Sequence, residues 1–112
     1  MNKKRRILMF YDWFYPGFRA GGPIQSLTNL AVALIPEFDI YVVTGSRDLN
    51  SQTSYTGVLI NTWNDVRLPG SSEAIKVFYA DPKVLNTIAV DRLLDEVSPK
   101  VVYLNGIFSY RF

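Results

Sequence analysis

The sequence predicts an α/β fold, a parallel sheet with flanking helices, and three observations predict it. Short apolar runs recur at Arg6–Tyr11, Phe38–Thr44, Ala74–Tyr79 and Val101–Leu104. Stretches with helical apolar spacing separate the first run from the second and the third from the fourth. Proline and glycine punctuate the junctions. Strands alternating with helices are the pattern of a parallel α/β sheet, and the expected spatial order of the four strands is 3-2-1-4.

Arg6–Tyr11 is rich in large side chains and bounded by charge on both sides, as suits a strand buried on both faces. Asp12–Gly22, with Pro16, Gly17, Gly21 and Gly22, is a loop. Pro23 suits a first helical position, because its fixed φ is helical and its missing N–H would have had no partner there. Leu27, Leu30, Ala31 and Leu34 then place one apolar stripe on a helix that Pro36 stops. Phe38–Thr44 closes a strand–helix–strand unit.

From Gly45 to Ser72 the periodicity is lost, apart from an extended patch at Gly57–Trp63, and so long a connection is either functional or mobile. Asp81-Pro82 supplies a cap and a helix start after the third strand. Val90, Leu93, Leu94 and Val97 repeat the helical spacing up to Ser98-Pro99. With no helix after Leu104, residues 1–112 read as one partial domain whose last strand has an open edge.

Composition narrows the chemistry. The 112 residues are 48% hydrophobic and 20% charged, which is globular rather than disordered. Lys and Arg number 12 against 10 Asp and Glu, with the excess gathered at Lys3–Arg6, so no basic stripe for nucleic acid runs along the chain. Lys3–Arg6 reads either as a solvated tail or as a weak contact for anionic lipid. The apolar run after it is interrupted at Asp12, too early for a signal peptide or a membrane span. Cysteine and histidine are both absent, which excludes Cys/His zinc sites, thiol nucleophiles and an imidazole base from these residues. A single Asp12 after the first strand is too little for the acidic cluster of a receiver-like signalling domain.

In an open parallel sheet, ligands bind beyond the carboxyl ends of the strands where the strand order reverses. The loops expected there are Asp12–Gly22 and Asn105–Phe112, with Gly45–Asp48 beside them. Gly21-Gly22 before a helix offers backbone N–H groups and a positive dipole end to an anion such as phosphate; a plain turn is the alternative. There is no G-x-G-x-x-G and no P-loop signature, so nicotinamide, flavin and P-loop ATP binding are disfavoured. Without that fingerprint Asp48 reads as a loop-stabilising residue rather than a ribose contact.

Ile7-Leu8-Met9-Phe10-Tyr11-Asp12-Trp13-Phe14-Tyr15-Pro16, then Gly21-Gly22-Pro23, Ser26-Leu27-Thr28-Asn29-Leu30-Ala31 and Val42-Val43-Thr44, together resemble the opening of retaining GT-B glycosyltransferases of family 4 (group 1). Ser46-Arg47-Asp48-Leu49, Trp63 and Val101–Ser109 resemble a bacterial polysaccharide-building branch. The resemblance implies the N-terminal, acceptor-side Rossmann-like half of a cytoplasmic transferase, with peripheral contact to the inner membrane. It implies transfer of a hexose from a nucleotide sugar to a glycan or lipid-linked acceptor, with no cofactor and no metal.

In that family the paired glycines of the first loop approach the donor diphosphate, a role that falls here to Gly21 and Gly22. Trp13, Arg19 and Asn105 become acceptor-side candidates. Each has a plainer alternative: loop packing for Trp13, a solvated charge for Arg19, a turn or capping role for Asn105, which stands where many relatives have histidine. The family's C-terminal half, with its paired glutamates, and the fifth strand of the N-terminal half have no counterpart in these residues, so no catalytic residue is assigned and transfer by this chain alone is not expected. The competing expectation is a non-catalytic binding or assembly module whose open sheet edge pairs with another chain.

Overall fold

The computed structural model describes residues 4–11, 13–17, 21–47, 51–81 and 87–104. They form strands β1 (Arg5–Phe10), β2 (Phe38–Gly45), β3 (Trp63–Arg67), β4 (Ala74–Ala80) and β5 (Val101–Leu104), with helices α1 (Gly22–Leu34) and α2 (Thr87–Val97). One mixed sheet has the order β3-β4-β2-β1-β5. The β4–β2, β2–β1 and β1–β5 pairs are parallel and β3 is antiparallel to β4. The fold is therefore α/β with a mostly parallel sheet.

The observed order differs from the expected four-stranded one because of β3, which lies inside the stretch that shows no periodicity. Its sequence, Trp-Asn-Asp-Val-Arg, has no apolar run because it is an edge strand with neither face fully covered. Cross-strand pairs hold it: Asp65 stands opposite Lys76 and forms an ion pair with it, and Trp63 stands opposite Phe78 with ring centroids 5.4 Å apart. The extended patch expected at Gly57–Trp63 is turns and bends up to Thr62, and only its last residue joins the strand.

Alternation along the central strands divides the core between the two faces. Ile7 and Met9 of β1, Ile40 and Val42 of β2, and Ile75, Val77 and Tyr79 of β4 pack with Leu27, Ala31 and Ile35 on the α1 side. Leu8, Phe10 and Val43 pack with Val90, Leu93 and Val97 of α2 on the other. Both faces being covered, β1 reads as an unbroken apolar run. The buried stripe of α1 is rotated from the expected one. Ile24, Leu27, Thr28, Ala31 and Ile35 are buried, whereas Leu30 and Leu34 are half-buried. In α2 the expected Val90, Leu93 and Val97 are buried and Leu94 is half-buried. The helix start expected at Asp81-Pro82 falls largely outside the described residues, which resume in α2 at Thr87.

Two of the N-terminal basic residues have structural roles. Lys4 Nζ donates to the carbonyl of Ile35, the C-cap of α1, at 2.9 Å, and Arg6 donates to the carbonyl of Val97, the last residue of α2, at 2.9 Å. Each cation thus meets the negative end of one helix dipole and satisfies a carbonyl that the helix leaves over. The Arg6 guanidinium also lies 5.4 Å from the Tyr41 ring centroid. No described helix is long and apolar enough to cross a membrane.

Candidate functional site at the carboxyl ends of the strands

The loop after β1 is pegged to the sheet before it delivers the chain to α1. Tyr11 N–H donates to the Val43 carbonyl at 3.2 Å, continuing the parallel ladder by one residue. Phe14 is fully buried among the α1-side core residues, and Gly17 N–H closes a turn back onto its carbonyl at 2.8 Å. A second peg comes from the sheet: the Tyr79 hydroxyl donates to the Tyr15 carbonyl at 2.5 Å. Trp13 is half-buried, packs against the same core and meets Tyr11 edge-on at 5.9 Å.

Gly21 is the N-cap of α1, at φ 69° and ψ −124°. Side chains rarely adopt that conformation, so glycine is required by the backbone even though a Cβ would meet nothing within 4 Å. The Gly21 carbonyl accepts from Ile24 N–H at 3.1 Å and Gln25 N–H at 3.3 Å. Pro23 has no N–H to offer, which leaves the Gly22 N–H without a partner among the described residues. No side chain caps this end and no acidic residue occupies the first turn. Gly22 is exposed, and open space surrounds the position its Cβ would take. Chemically this is an accessible partial positive charge with one free donor, narrower than a full phosphate-binding loop.

The two glycines should therefore respond differently to substitution. Gly21→Ala is expected to destabilise the chain by about 1–3 kcal/mol through backbone strain, while Gly22→Ala stays within about 0.5 kcal/mol of the parent. Urea titration of both variants distinguishes them; equal stabilities would show that the Gly21 conformation is not required.

Beside this loop the carboxyl ends of β2 and β4 bring hydroxyls together. Thr44 and Ser46 are fully buried, and among the described residues neither hydroxyl oxygen has a hydrogen-bond partner. Thr44 stands in register with Tyr79 of β4, and the Ser46 carbonyl accepts from Tyr55 N–H at 2.8 Å. The Tyr55 ring meets that of Tyr79 edge-on at 5.7 Å. Burial pushes the Tyr79 phenol well above its ordinary range, and the neighbouring phenols of Tyr55 and Tyr15 push it in the same direction, so it stays a protonated donor.

Of the residues the sequence singles out, Trp13, Gly21 and Gly22 lie on this one loop. Arg19, Asn105 and Asp48 lie outside the described residues, as does Asp12. Thr44, Ser46, Tyr55 and Tyr79 were not legible as a site. The first two look like the end of a strand, and Tyr55 lies in a stretch without periodicity. Trp63 is structural, meeting Tyr41 edge-on at 5.3 Å and donating through Nε1 to Glu96 of α2 at 3.2 Å.

A cavity of about 320 Å³ lies at the other end of the sheet, where Lys4, Phe38, Asp39, Glu73 and Lys76 surround the starts of β1, β2 and β4. Its place is opposite to where parallel sheets bind ligands, and Lys4 and Glu73 pair with each other there at 3.4 Å. Among the described residues no group of three or more His, Cys, Asp or Glu side chains could hold a metal ion. No protein-family model, no curated protein and no solved structure matches the chain.

Proposed function

We propose that the chain is the Rossmann-like, acceptor-side part of a GT-B glycosyltransferase, in which Gly22 and the α1 dipole face the diphosphate of a nucleotide-sugar donor. The observation that supports this reading is the bare helix start: an exposed glycine pair with no capping side chain and no acid, at the carboxyl end of a mostly parallel sheet. The resemblance of the opening motifs supplies the reaction class. In this reading sugar transfer needs a second half carrying the nucleotide site, and Trp13 stands on the acceptor side, where a half-buried ring suits the apolar face of a sugar. The working protein acts in the cytoplasm against the inner membrane, on a glycan or lipid-linked acceptor.

Titration of the isotope-labelled chain with UDP-glucose tests the assignment. The Gly22 amide is expected to shift and Gly22→Ala to weaken the response, with no sugar released. An unmoved Gly22 amide would overturn the diphosphate assignment. Turnover by the purified chain would overturn the need for a second half.

A second reading, assembly through the sheet edge, rests on β5. Val101, Val102 and Tyr103 are 48%, 43% and 40% exposed on a strand that carries no charge, proline or bulge to protect it. Concentration-dependent dimerisation in light scattering, abolished by Val102→Lys, together with no response to UDP-glucose, would favour it.

A further inference from the structure

Among the described residues, two buried hydroxyls without partners stand at the carboxyl end of the sheet, the end at which parallel sheets bind ligands. Apolar groups of the same shape would fill the positions of Thr44 and Ser46 without leaving polar atoms stranded. On β2 the alternation that directs Ile40 and Val42 to the α1 side directs Thr44 there too, beneath the helix whose N-terminus is bare. Around them are rings and phenols: Tyr79 in register with Thr44, Tyr55 on the Ser46 carbonyl, and the Tyr15 backbone held by the Tyr79 hydroxyl.

We propose that Thr44 and Ser46, walled by Tyr15 and Tyr55, form a subsite for an uncharged, hydroxyl-bearing ligand, a sugar ring. The assignment rests on the transferase reading for its purpose and on the stranded hydroxyls for its place. A hydroxyl pair both donates to and accepts from sugar hydroxyls, and the half-buried faces of Tyr15 and Tyr55 suit the C–H face of the ring. Thr44, Ser46 and Tyr79 contribute hydroxyls and no charge, which suits a neutral ligand better than a phosphate.

Both hydroxyls are fully buried, so entry requires a neighbouring segment to move, and the segment tied to this end of β2 is the candidate. Residues 51–61, in turns and bends, are tied to the end of β2 by the Tyr55–Ser46 bond and an isolated bridge between Arg47 and Ser54. The downstream end is fixed. Asn61, at φ 62°, donates its N–H to the Tyr79 carbonyl and accepts from Asp81 N–H through its side chain, both at 2.8 Å. A shift of 51–60 about Asn61 would open this end of β2 without unpairing any of the five strands.

The test is amide-resolved NMR on the whole chain, titrated separately with D-glucose, D-galactose, N-acetylglucosamine and UDP. At least one sugar is expected to shift the amides of Thr44, Ser46 and Tyr55. The Thr44→Val/Ser46→Ala double variant should lose about tenfold or more in apparent affinity, as expected when neutral hydrogen bonds are removed. Its melting temperature should stay level or rise, since the stranded hydroxyls are gone, and Thr44→Ser alone should retain binding.

Sugars that leave these amides unmoved, as when a buried water alone serves the hydroxyls, overturn the proposal. A double variant that binds as well as the parent also overturns it. UDP reports separately on Gly22, so failure of the sugar subsite and failure of the diphosphate assignment are distinguishable.

Discussion

Replacing Phe14 with alanine is expected to lower stability by about 3–5 kcal/mol, the range for deleting a fully buried aromatic side chain. Phe14 belongs to neither a strand nor a helix, yet it is 0% exposed and sits in the α1-side core with Leu27 and Tyr79. Removing its ring leaves a void that a loop residue's neighbours can close only by moving the loop. Because small domains are stable by only about 5–15 kcal/mol in total, the variant should lose a large fraction of its stability and unfold at a much lower urea concentration. Urea denaturation followed by tryptophan fluorescence measures the loss, and Trp13, the preceding residue, reports on the loop itself. A loss below about 1 kcal/mol would show that the loop is not anchored through this ring. The functional consequence is specific: the peg that positions Gly21-Gly22 would be gone, and any response of the Gly22 amide to UDP-glucose should go with it.

The second large effect is expected in alkali. The Tyr79 phenol is neutral in the fold and its pKa is raised, chiefly by burial. In the unfolded chain it releases its proton near pH 10. Above that pH the unfolded state binds fewer protons than the native state, so stability falls as pH rises, by about 1.4 kcal/mol per pH unit for this one group. Below pH 10 the contribution is fully present and independent of pH. Tyr79→Phe removes the titrating group and the bond to the Tyr15 carbonyl together. The variant should be less stable than the parent at neutral pH by about 1–2 kcal/mol, and the gap should close as pH is raised past 10. Urea midpoints for both proteins across the alkaline range measure this. Parallel curves would show that Tyr79 ionises as readily in the fold as outside it.

Much of the scaffold is legible in the sequence because its signals are local. β1, β2, β4 and β5 announce themselves as apolar runs, and β1, covered on both faces, has no polar side to alternate with. The two helices show their spacing, and Pro23 and Pro36 mark the bounds of α1. β3 is illegible for the converse reason. An edge strand needs no apolar run, and what stabilises Trp63 and Asp65 lies across the ladder at Phe78 and Lys76. The rotation of the α1 stripe from Leu30 and Leu34 towards Ile24, Thr28 and Ile35 depends on the angle at which the helix crosses the sheet. Spacing alone does not contain that angle.

The candidate site divides along the same line. Sequence by itself determined an α/β chain without histidine or cysteine, with a glycine pair opening a helix after the first strand. Those features follow from residue type and from neighbours a few positions away. Tertiary structure alone decided that Tyr79, far along the chain, ties down the loop carrying Trp13, and that Lys4 and Arg6 satisfy the two helix C-termini. It alone decided that Thr44 and Ser46 end up buried with their hydroxyls unpaired among the described residues. A hydrogen bond made or left unmade between distant segments depends on where the packed core brings them, and no local pattern of residues encodes that distance.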